Sequence, residues 1–482
     1  MTYMPVPLAL RSNQARDSAI GAAKLVNCWA DDLGQDAKVR NPVMACDGFT
    51  SYATLTASAA HRGMFAHTSS NLYVFNGGAL YQVTSSPVVS SLASGLSTSG
   101  YAYFAANANS QIVVTTSDGL TRLITAPSTV TTPTFDPSIA AGTFNSVCEI
   151  DNYFVWTKTN GEFYVSDINN VTTDPLAFAR GASRGLSRGV RRGRDIMLSG
   201  RYETSFWQNT GQADFAFQRV HLATFGVHAA PAMVPLVGIL DGGTATDTVI
   251  WPATGPSGDY IGVAILAGYD AKIISTGEVD RAIKAEPTLS TIRAYAYTMH
   301  GQTFYCITGS SFTYEYNTRT GLWHQRTGYG SSVGALVDAC DFNGTVIVAP
   351  VGSSSALYQM SSSLTPGSAS AVELRTSKNN GTTWTTARSK TIGASGARTT
   401  RAVFNRLGQS KEDGLQIEIK ITNAIVEGSN AVDMTIVAPA IHSWPQRMTF
   451  DALYADFVPG VSLTSSPKAA LQLGVDVRRD AA

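Results

Sequence analysis

The sequence has little charge of either sign. Only 15% of its residues are charged, and 35 basic residues balance 35 acidic ones, so the formal net charge is zero. A neutral chain has no colloidal repulsion to keep copies apart, and self-association is therefore easy. The surface is left largely to Ser, Thr, Asn and Gly. This balance suits an all-β protein or a permanent assembly subunit better than a free helical protein.

Cysteines and long apolar runs are also scarce. Five cysteines are widely spaced, odd in number and without a C-x-x-C pair, which argues against a disulfide framework and a zinc site. We expect them to be small buried residues of a protein made in a reducing cytoplasm. The first residues lack the pattern of a secretory signal. The most apolar stretch, residues 229–240, is broken by two prolines, so no membrane-spanning segment is expected.

Motifs of catalysis are missing as well. No G-x-S-x-G, P-loop or dinucleotide-binding fingerprint occurs, and the seven histidines form no typical metal-ligand pair. His221 and His228, seven residues apart, are a weak metal signal, and His324 is expected to pack and hydrogen-bond inside a sheet. We therefore predict that the protein is not an enzyme and has no cofactor and no metal site.

The feature that is present is a repeated hairpin, in which an apolar strand, a short turn and a second strand follow one another. Examples are "LYVFNGGALYQV" at 72–83 and "FYCITGSSFTYEYN" at 304–317. Five of the six intervals between hairpin starts are 40–44 residues, the period of a four-stranded propeller blade, and one is 64. The spacing predicts a β-propeller of six or seven blades rather than unrelated hairpins in sandwich domains. The hairpins start at residues 72, 112, 153, 196, 260, 304 and 346.

Changes of pattern along the chain predict three regions. Residues 1–60 show no blade pattern and are predicted to be an N-terminal arm. Residues 61–365 are predicted to form the propeller, with an enlarged insertion around 209–259. After a Ser/Gly/Pro-rich linker, residues 366–482 are predicted to be a β-sandwich-like domain plus a C-terminal tail. The alternation of apolar and polar residues from Leu415 to Ile421 supports strands there.

The octapeptide "SKNNGTTW" at 377–384 is close to the Asp-box of sialidase-like propellers, S-x-D-x-G-x-x-W, with Asn379 in place of the acid. That box is a folding device: its polar side chain binds amides of the turn, Gly381 takes an unusual dihedral, and Trp384 packs beneath. The motif therefore predicts a β-hairpin and no catalysis.

Positive charge is concentrated in two places. Within 180–195 six arginines precede the first acid, and four glycines are interleaved with them, a pattern that suits contacts with phosphate oxygens made without reading sequence. Residues 374–411 carry eight basic residues and no acid. Each cluster could equally be a solvated loop or an ion-paired seam with an acidic partner subunit. The first cluster is Arg180, Arg184, Arg188, Arg191, Arg192 and Arg194, and the second includes Arg375, Lys378, Arg388, Lys390, Arg398, Arg401 and Arg406.

Two stretches of the hairpin region carry a family resemblance. "YDAKIISTGEVDRAI" (269–283) and "MHGQTFYCITGSSFTYEYNTRTGLWHQRTG" (299–328) resemble the tail hub, or nozzle, proteins of short-tailed bacteriophages, known as packaged-DNA stabilisation proteins. The likeness extends over roughly 25–365 and is specific in 269–328. The longer polar insert in "SGRYETSFWQNTG", and Asn379 where related proteins have an acid, depart from the family pattern.

The resemblance implies a structural virion protein, a propeller-containing subunit of a six-fold tail ring. Such a homohexameric ring lies below the portal and adaptor, continues the DNA channel, retains and releases the packaged genome, and holds a needle, spikes or fibres. The resemblance also implies that residues 184–194 contact double-stranded DNA non-specifically, or contact an acidic adaptor. Residues 374–411 are expected to form an inter-subunit or adaptor contact.

Two other classes remain open. One is a carbohydrate-binding or glycosidase-like propeller on the virion surface, which predicts aromatic and carboxylate clusters at one propeller face. The other is a cellular propeller scaffold. The position of Arg188 separates the two virion functions, because a tail channel requires it in a lumen shared between subunits and a saccharide site requires it in a closed pocket.

Overall fold

The computed structural model is almost entirely β. It describes residues 3–5, 9–14, 22–31, 42–125, 127–136, 139, 144–174, 176–213, 215–239, 245–361, 370–393, 400–410, 414–440, 448–458 and 470–479. No helix in these ranges is long and apolar enough to cross a membrane. All five cysteines are free, and four of them are buried, as the sequence predicts.

The described residues form a β-propeller of seven four-stranded blades. The second strand of most blades is apolar almost throughout and buried on both faces, because it lies between two neighbouring blades. The first six blades comprise β6–β9 (Gly48–Thr68, Asn71–Asn76, Ala79–Thr84, Val89–Ala93), β10–β13 (Ala102–Ala106, Gln111–Thr116, Thr121–Thr125, Thr129–Thr131), β14–β17 (Phe144–Ile150, Tyr153–Lys158, Glu162–Val165, Phe178–Arg180), β18–β21 (Arg188–Arg192, Asp195–Ser199, Thr204–Asn209, Phe217–Ala223), β23–β26 (Val234–Ile239, Ala245–Thr254, Tyr260–Ala267, Asp270–Ile273) and β27–β30 (Arg293–Met299, Gln302–Thr308, Thr313–Asn317, Leu322–Gln325).

The seventh blade is completed by the N-terminal side of the propeller. Its first three strands are β31–β33 (Leu336–Phe342, Thr345–Pro350, Ser353–Ser361), and its outer strand is the first half of β6, residues 48–60. The second half of β6, residues 61–68, is the innermost strand of blade one. One continuous strand therefore joins the first blade to the last. The innermost strands β6, β10, β14, β18, β23, β27 and β31 contact one another in this order around a closed ring.

The span 209–259, predicted as an enlarged insertion, contains regular blade strands. It holds β21, the short strand β22 (Gly226–Val227), β23 and β24. The hairpin at 260–274 is the third and fourth strand of its blade, whereas the other predicted hairpins are the second and third. This difference in position produces the 64-residue interval. The second strand of blade five, β24, was not predicted from the sequence because Pro252 and polar residues interrupt its apolar pattern.

Two further sheets make a sandwich that combines the N-terminal and C-terminal parts of the chain. The strands are β1–β5 (Tyr3–Pro5, Asn13–Gln14, Ala22–Val26, Cys28–Ala30, Val43–Ala45) and β34–β40 (Ser370–Ser377, Arg388–Gly393, Thr400–Ser410, Gln416–Glu427, Asn430–Val437, Met448–Val458, Ala470–Arg479). One sheet has the order β35–β34–β37–β38–β3, and the other β36–β39–β40–β5–β4 with β1 beside β40. Both line one core that includes Leu25, Trp29, Phe404 and Ile417.

The sandwich and blades six and seven share that core, since it also contains Phe304 and Val348. Asn27, in the left-handed conformation (φ 58°), fastens the joint. Its side-chain amide donates to Thr327 Oγ1 (2.8 Å) and to the Asp433 carbonyl (3.0 Å), and its oxygen accepts from the Thr327 amide (2.9 Å). The predicted arm is thus built into both parts of the fold.

One α-helix, α1 (Gly277–Ala285), occurs in the described residues, beside two short 3-10 turns (Ala230–Ala232 and Leu289–Thr291). It connects blades five and six within the segment that carries the family resemblance. Val279 and Ile283, four residues apart, are fully buried on one face of the helix. Glu278 and Asp280 lie in the first turn, where their negative charge interacts favourably with the helix dipole. Their carboxylates accept hydrogen bonds from the hydroxyls of Tyr314 and Tyr260, respectively.

The Asp-box-like segment forms the turn that its residues predict. Asn379 Oδ1 accepts from the Thr383 amide (2.9 Å), Ser377 Oγ accepts from the Gly381 amide (2.9 Å), and Gly381 has φ +81°. A Cβ at Gly381 would lie 3.6 Å from the Trp384 ring, so the ring packs against the turn. Asparagine supplies the same acceptor oxygen that the acid of the Asp-box would.

We expect Asn379→Ala to lower the free energy of unfolding of the sandwich by about 1–2 kcal/mol, because it removes that acceptor. Asn379→Asp keeps the oxygen and is expected to change the value by less than about 0.5 kcal/mol. Urea denaturation of both variants tests this. Equal losses would show that the side-chain oxygen does not hold the turn.

Candidate functional site

The first arginine cluster runs through the propeller along blade four. We call the face at which the innermost strands begin the upper face and the opposite one the lower face. Arg184 lies in the loop before β18, on the upper face, and Arg194 lies in the turn after β18, on the lower face. Arg188, Arg191 and Arg192 belong to β18 itself, the innermost strand of the blade. These five arginines therefore follow a line from one face to the other, whereas Arg180 lies in blade three.

Three arginines of the first cluster project from the faces. Arg180, at the end of the outermost strand of blade three, is exposed, as are Arg184 and Arg194. The guanidinium of Arg184 lies over the Tyr202 ring, 4.9 Å from its centroid. This stacking restrains the side chain and leaves its charge at the surface.

The other three arginines are engaged within the propeller. Arg191 pairs with Glu149 (3.1 Å) and keeps half of its side chain exposed. Arg192 pairs with Asp195 (3.3 Å). Arg188 donates to the Ala230 carbonyl (2.9 Å), and its guanidinium lies 4.4 Å from the centroid of the Tyr103 ring in blade two. These partners come from four different blades or their connections.

Arg188 and Arg191 line the central channel of the propeller. A cavity of about 480 Å³ is lined by residues of all seven innermost strands, among them Tyr101, Tyr103 and Asp338. This volume is that of a small-molecule pocket. A B-form duplex, whose major groove alone is about 12 Å wide, does not fit inside it. Arg188 therefore lies in a channel of the single chain that is too small to hold duplex DNA.

Side chains from several blades meet at the upper end of the channel. The Arg293 guanidinium, from blade six, lies 5.5 Å from the Tyr101 ring centroid, and its Nη1 donates to the His61 carbonyl. His61 Nε2 lies 2.9 Å from Asp338 Oδ2, and both residues are buried. Two arginines, two tyrosines and one carboxylate with its histidine thus surround this end.

The two tyrosines are neutral hydroxyl groups. Burial raises the pKa of Tyr101 well above the ordinary value and also raises the pKa of Tyr103, although nearby Arg188 and Arg293 act in the opposite direction. A phenol with a raised pKa is a hydrogen-bond donor and a poor nucleophile. The arrangement therefore favours binding over the covalent chemistry of a sialidase.

The second basic cluster divides into three groups. Arg375 pairs with Glu418 on the neighbouring strand β37, with its Nε donating to the carboxylate (2.7 Å). Lys378, Arg388, Lys390 and Arg406 are exposed. Arg401 lies on β36, and Arg398 lies outside the described residues.

A buried polar cluster, which the sequence analysis did not detect, lies where the arm meets blade six. Glu315 is 1% exposed and accepts from Tyr297, from His324 Nε2 (2.6 Å) and from Arg326 Nη1 (3.4 Å), and Cys46 Sγ lies 4.0 Å away. His324 thus packs and hydrogen-bonds inside the blade, as predicted. Cys46, Glu315 and His324 have the geometry of a cation site. The Arg326 guanidinium already neutralises the carboxylate there, so an added cation would be repelled.

The two histidines with the weak metal spacing do not act together. His221 stacks on Tyr269, and His228 packs on Tyr260. Burial lowers the pKa of His228 to about 4, and the Arg201 charge acts in the same direction. His228 is therefore a neutral packing residue.

Of the residues at the upper end of the channel, Arg188 was predicted from the sequence as a site residue, whereas Tyr101, Arg293 and Asp338 were not. Each of these lies about ten residues before a predicted hairpin, at the start of a blade's innermost strand, and this common offset was the available signal. The innermost strands themselves were not predicted, because several are short and carry polar residues that face the channel.

A comparison with protein families agrees with the propeller architecture. A family model described as "Bacteriophage P22 Gp10, beta-propeller" matches residues 39–363. No curated protein matches the chain. Similar solved structures include the WD40 propeller domain of Doa1 (12% identity, 65% of this chain and 96% of that chain, TM-score 0.38) and YCF48 bound to D1 peptide (12%, 65% and 97%, 0.39). The computationally designed Ika8 protein is similar at 10% identity (64% and 99%, TM-score 0.36).

Proposed function

We propose that this chain, which belongs to the family of the bacteriophage P22 Gp10 β-propeller, is a ring-forming subunit of a phage tail. The ring would lie below the portal and adaptor, continue the DNA channel, and help to retain and release the genome. The family match over residues 39–363, which include the whole propeller, is the observation that carries this proposal. A structural role in the virion also accounts for the absence of a recognisable catalytic motif in the sequence.

The outer edges of blades three and four support an assembly role. Strand β21, at the edge of blade four, exposes Val220 and Leu222, and Leu176 and Phe178 are exposed beside the edge of blade three. Apolar side chains on unpaired edge strands favour contact with another protein surface. We propose that neighbouring subunits of a homohexameric ring, or an adaptor, cover these edges.

We propose that the exposed arginines of the first cluster face DNA. Arg180 and Arg184 lie on the upper face and Arg194 on the lower face, so their charges are available to a partner outside the chain. Ring symmetry would repeat each of them six times, and phosphates can be contacted in this way without sequence recognition. The exposed residues Lys378, Arg388, Lys390 and Arg406 are proposed as contacts with the adaptor or a neighbouring subunit.

Replacing Arg180, Arg184 and Arg194 together with serine is expected to leave folding intact and to raise the fraction of particles without DNA several-fold. The physical reason is the loss of phosphate contacts around the whole ring. The measurement is the genome content of purified particles. A control with Lys272→Ser and Arg319→Ser, exposed on blades five and six, should retain its DNA. Normal genome retention in the triple variant would contradict the DNA contact.

The tail position is tested by gold-labelled antibody on purified phage particles, imaged by electron microscopy. Label confined to the tail vertex supports the proposal. Unlabelled particles, with the protein free in the lysate, would contradict a virion function altogether.

The channel pocket is an observation in favour of the second function, a carbohydrate-binding or glycosidase-like propeller. Arg188 lies in a pocket of the chain itself, together with tyrosines and a carboxylate. Saccharide binding and turnover assays on the purified chain test this alternative. The raised pKa values keep both tyrosine hydroxyls protonated, so we expect no turnover.

A further inference from the structure

The upper end of the propeller channel has the features of a ligand site. We call Tyr101, Tyr103, Arg188 and Arg293 the Tyr–Arg cluster. Its members come from blades two, four and six, and each lies at or next to the start of an innermost strand. Because three separate blades contribute, the cluster exists only in the closed propeller. Three of its four members, all but Arg293, line the 480 Å³ cavity.

The charge of this end is positive. Arg188 and Arg293 bring two guanidinium groups near Tyr103. The carboxylate at this end of the channel, Asp338, is already engaged, because it pairs with His61 and accepts a hydrogen bond from the Ala339 amide (2.9 Å). Within the part of the chain that the structure describes, neither guanidinium forms an ion pair: Arg188 donates to the Ala230 carbonyl and Arg293 to the His61 carbonyl. Arginines that are held by carbonyls and aromatic rings keep their charge available to an anion.

Two buried donors point to the same conclusion. Tyr103 is 4% exposed, and within the described chain its hydroxyl has no hydrogen-bond partner. The Nε of Arg188, whose guanidinium lies on that ring, is also buried and without a partner. Buried polar atoms are almost always satisfied, and an unsatisfied donor costs free energy. Two such donors beside a cavity are explained by an acceptor that enters it.

We propose that the Tyr–Arg cluster binds a small oxyanion, a phosphate-type or carboxylate group, inside the propeller channel. The Tyr103 hydroxyl and Arg188 Nε would donate to its oxygens, and Arg293 would contribute charge through its position beside Tyr101. The cavity extends along β18 from Arg188 to Arg191, whose side chain is half exposed, so the ligand would enter from the Arg191 side. This inference does not depend on the proposed tail function.

The test is calorimetric titration of the purified full chain with inorganic phosphate, at constant ionic strength kept with chloride. We expect saturable binding by the unchanged protein. Tyr103→Phe removes only the unpartnered hydroxyl, so it should fold as well as the parent and bind phosphate about tenfold more weakly. The matched control is Tyr202→Phe, which alters the tyrosine under Arg184 outside the channel and should bind normally.

Further titrations identify the ligand, and a thermal measurement shows whether each variant is folded. Titration with acetate distinguishes a carboxylate from a phosphate-type ligand of the same site. Arg188→Gln should also weaken binding, and its unfolding temperature without ligand shows whether it is folded. Absence of binding by the unchanged protein to both anions would overturn the proposal, as would equal affinity of the Tyr103→Phe and Tyr202→Phe variants. Genome retention in virions is a separate measurement, so failure here leaves the tail function standing.

Discussion

Replacing Glu315 with glutamine is expected to lower the free energy of unfolding at pH 7 by about 3 kcal/mol. The carboxylate is 1% exposed and is bound by Tyr297, His324 and Arg326. Glutamine removes the charge that compensates the buried Arg326 guanidinium, and breaking a buried pair on one side costs about 3–5 kcal/mol. Urea denaturation of the purified protein measures the difference.

The control for this substitution is Glu418→Gln in the sandwich. Glu418 pairs with Arg375, whose side chain is 42% exposed, so the solvent screens the pair. We expect a loss below about 1 kcal/mol there. Equal losses at the two positions would show that burial does not strengthen the Glu315 contacts.

The same carboxyl group makes stability depend on acidity. Burial alone would raise the pKa of Glu315, but Arg326 and His324 outweigh it and hold the pKa near 2. The unfolded value is about 4.3. A depressed pKa contributes stability that is complete above the unfolded value and is lost as the pH falls towards 2. Between pH 4.5 and 2 the parent should therefore lose stability more steeply than Glu315→Gln. Parallel curves would contradict this.

Replacing Ala53 with aspartate is expected to cost at least about 3 kcal/mol and to promote aggregation. Ala53 lies on the outer strand of blade seven, is 7% exposed, faces Leu357 across the strand pair, and packs in the core shared by blades one and seven. An unpaired carboxylate in that core is poorly solvated. Loss of the strand would open the ring and leave β33 as a bare edge, which is prone to pair with other chains.

The neighbouring residue provides the control. Thr54 lies on the same strand but is exposed, because successive side chains of a strand point to opposite faces. Thr54→Asp should change the free energy of unfolding by about 0.5 kcal/mol or less. Thermal unfolding and size-exclusion chromatography separate the two variants. If both behave like the parent, residues 48–60 do not close the propeller.

The family resemblance and the propeller could be predicted from the sequence because both depend on local patterns. The repeated hairpins are pairs of consecutive strands, and their apolar residues follow from burial between blades. The number of blades could not be counted in this way. In blade five the visible hairpin was a different pair of strands, and in blade seven the fourth strand comes from residues 48–60.

The sandwich was predicted only in part for the same reason. Strand β37 shows clear alternation over residues 415–421, and the region after 366 was recognised by its change of character. The sandwich strands β3, β4 and β5 come from residues 22–45, where no periodicity is visible, yet β3 pairs with β38 and β5 pairs with β40. Pairing between distant segments leaves no signal in either segment alone.

By itself, the sequence determined the class of strands, their rough period and the concentration of arginines in residues 180–195. Only the tertiary structure decided what those arginines do. It places Arg188 on Tyr103 within the channel and leaves Arg184 and Arg194 on opposite faces. The physical reason is that local composition sets strand formation and burial, whereas the partner of a charge depends on which distant strands the closed ring brings together.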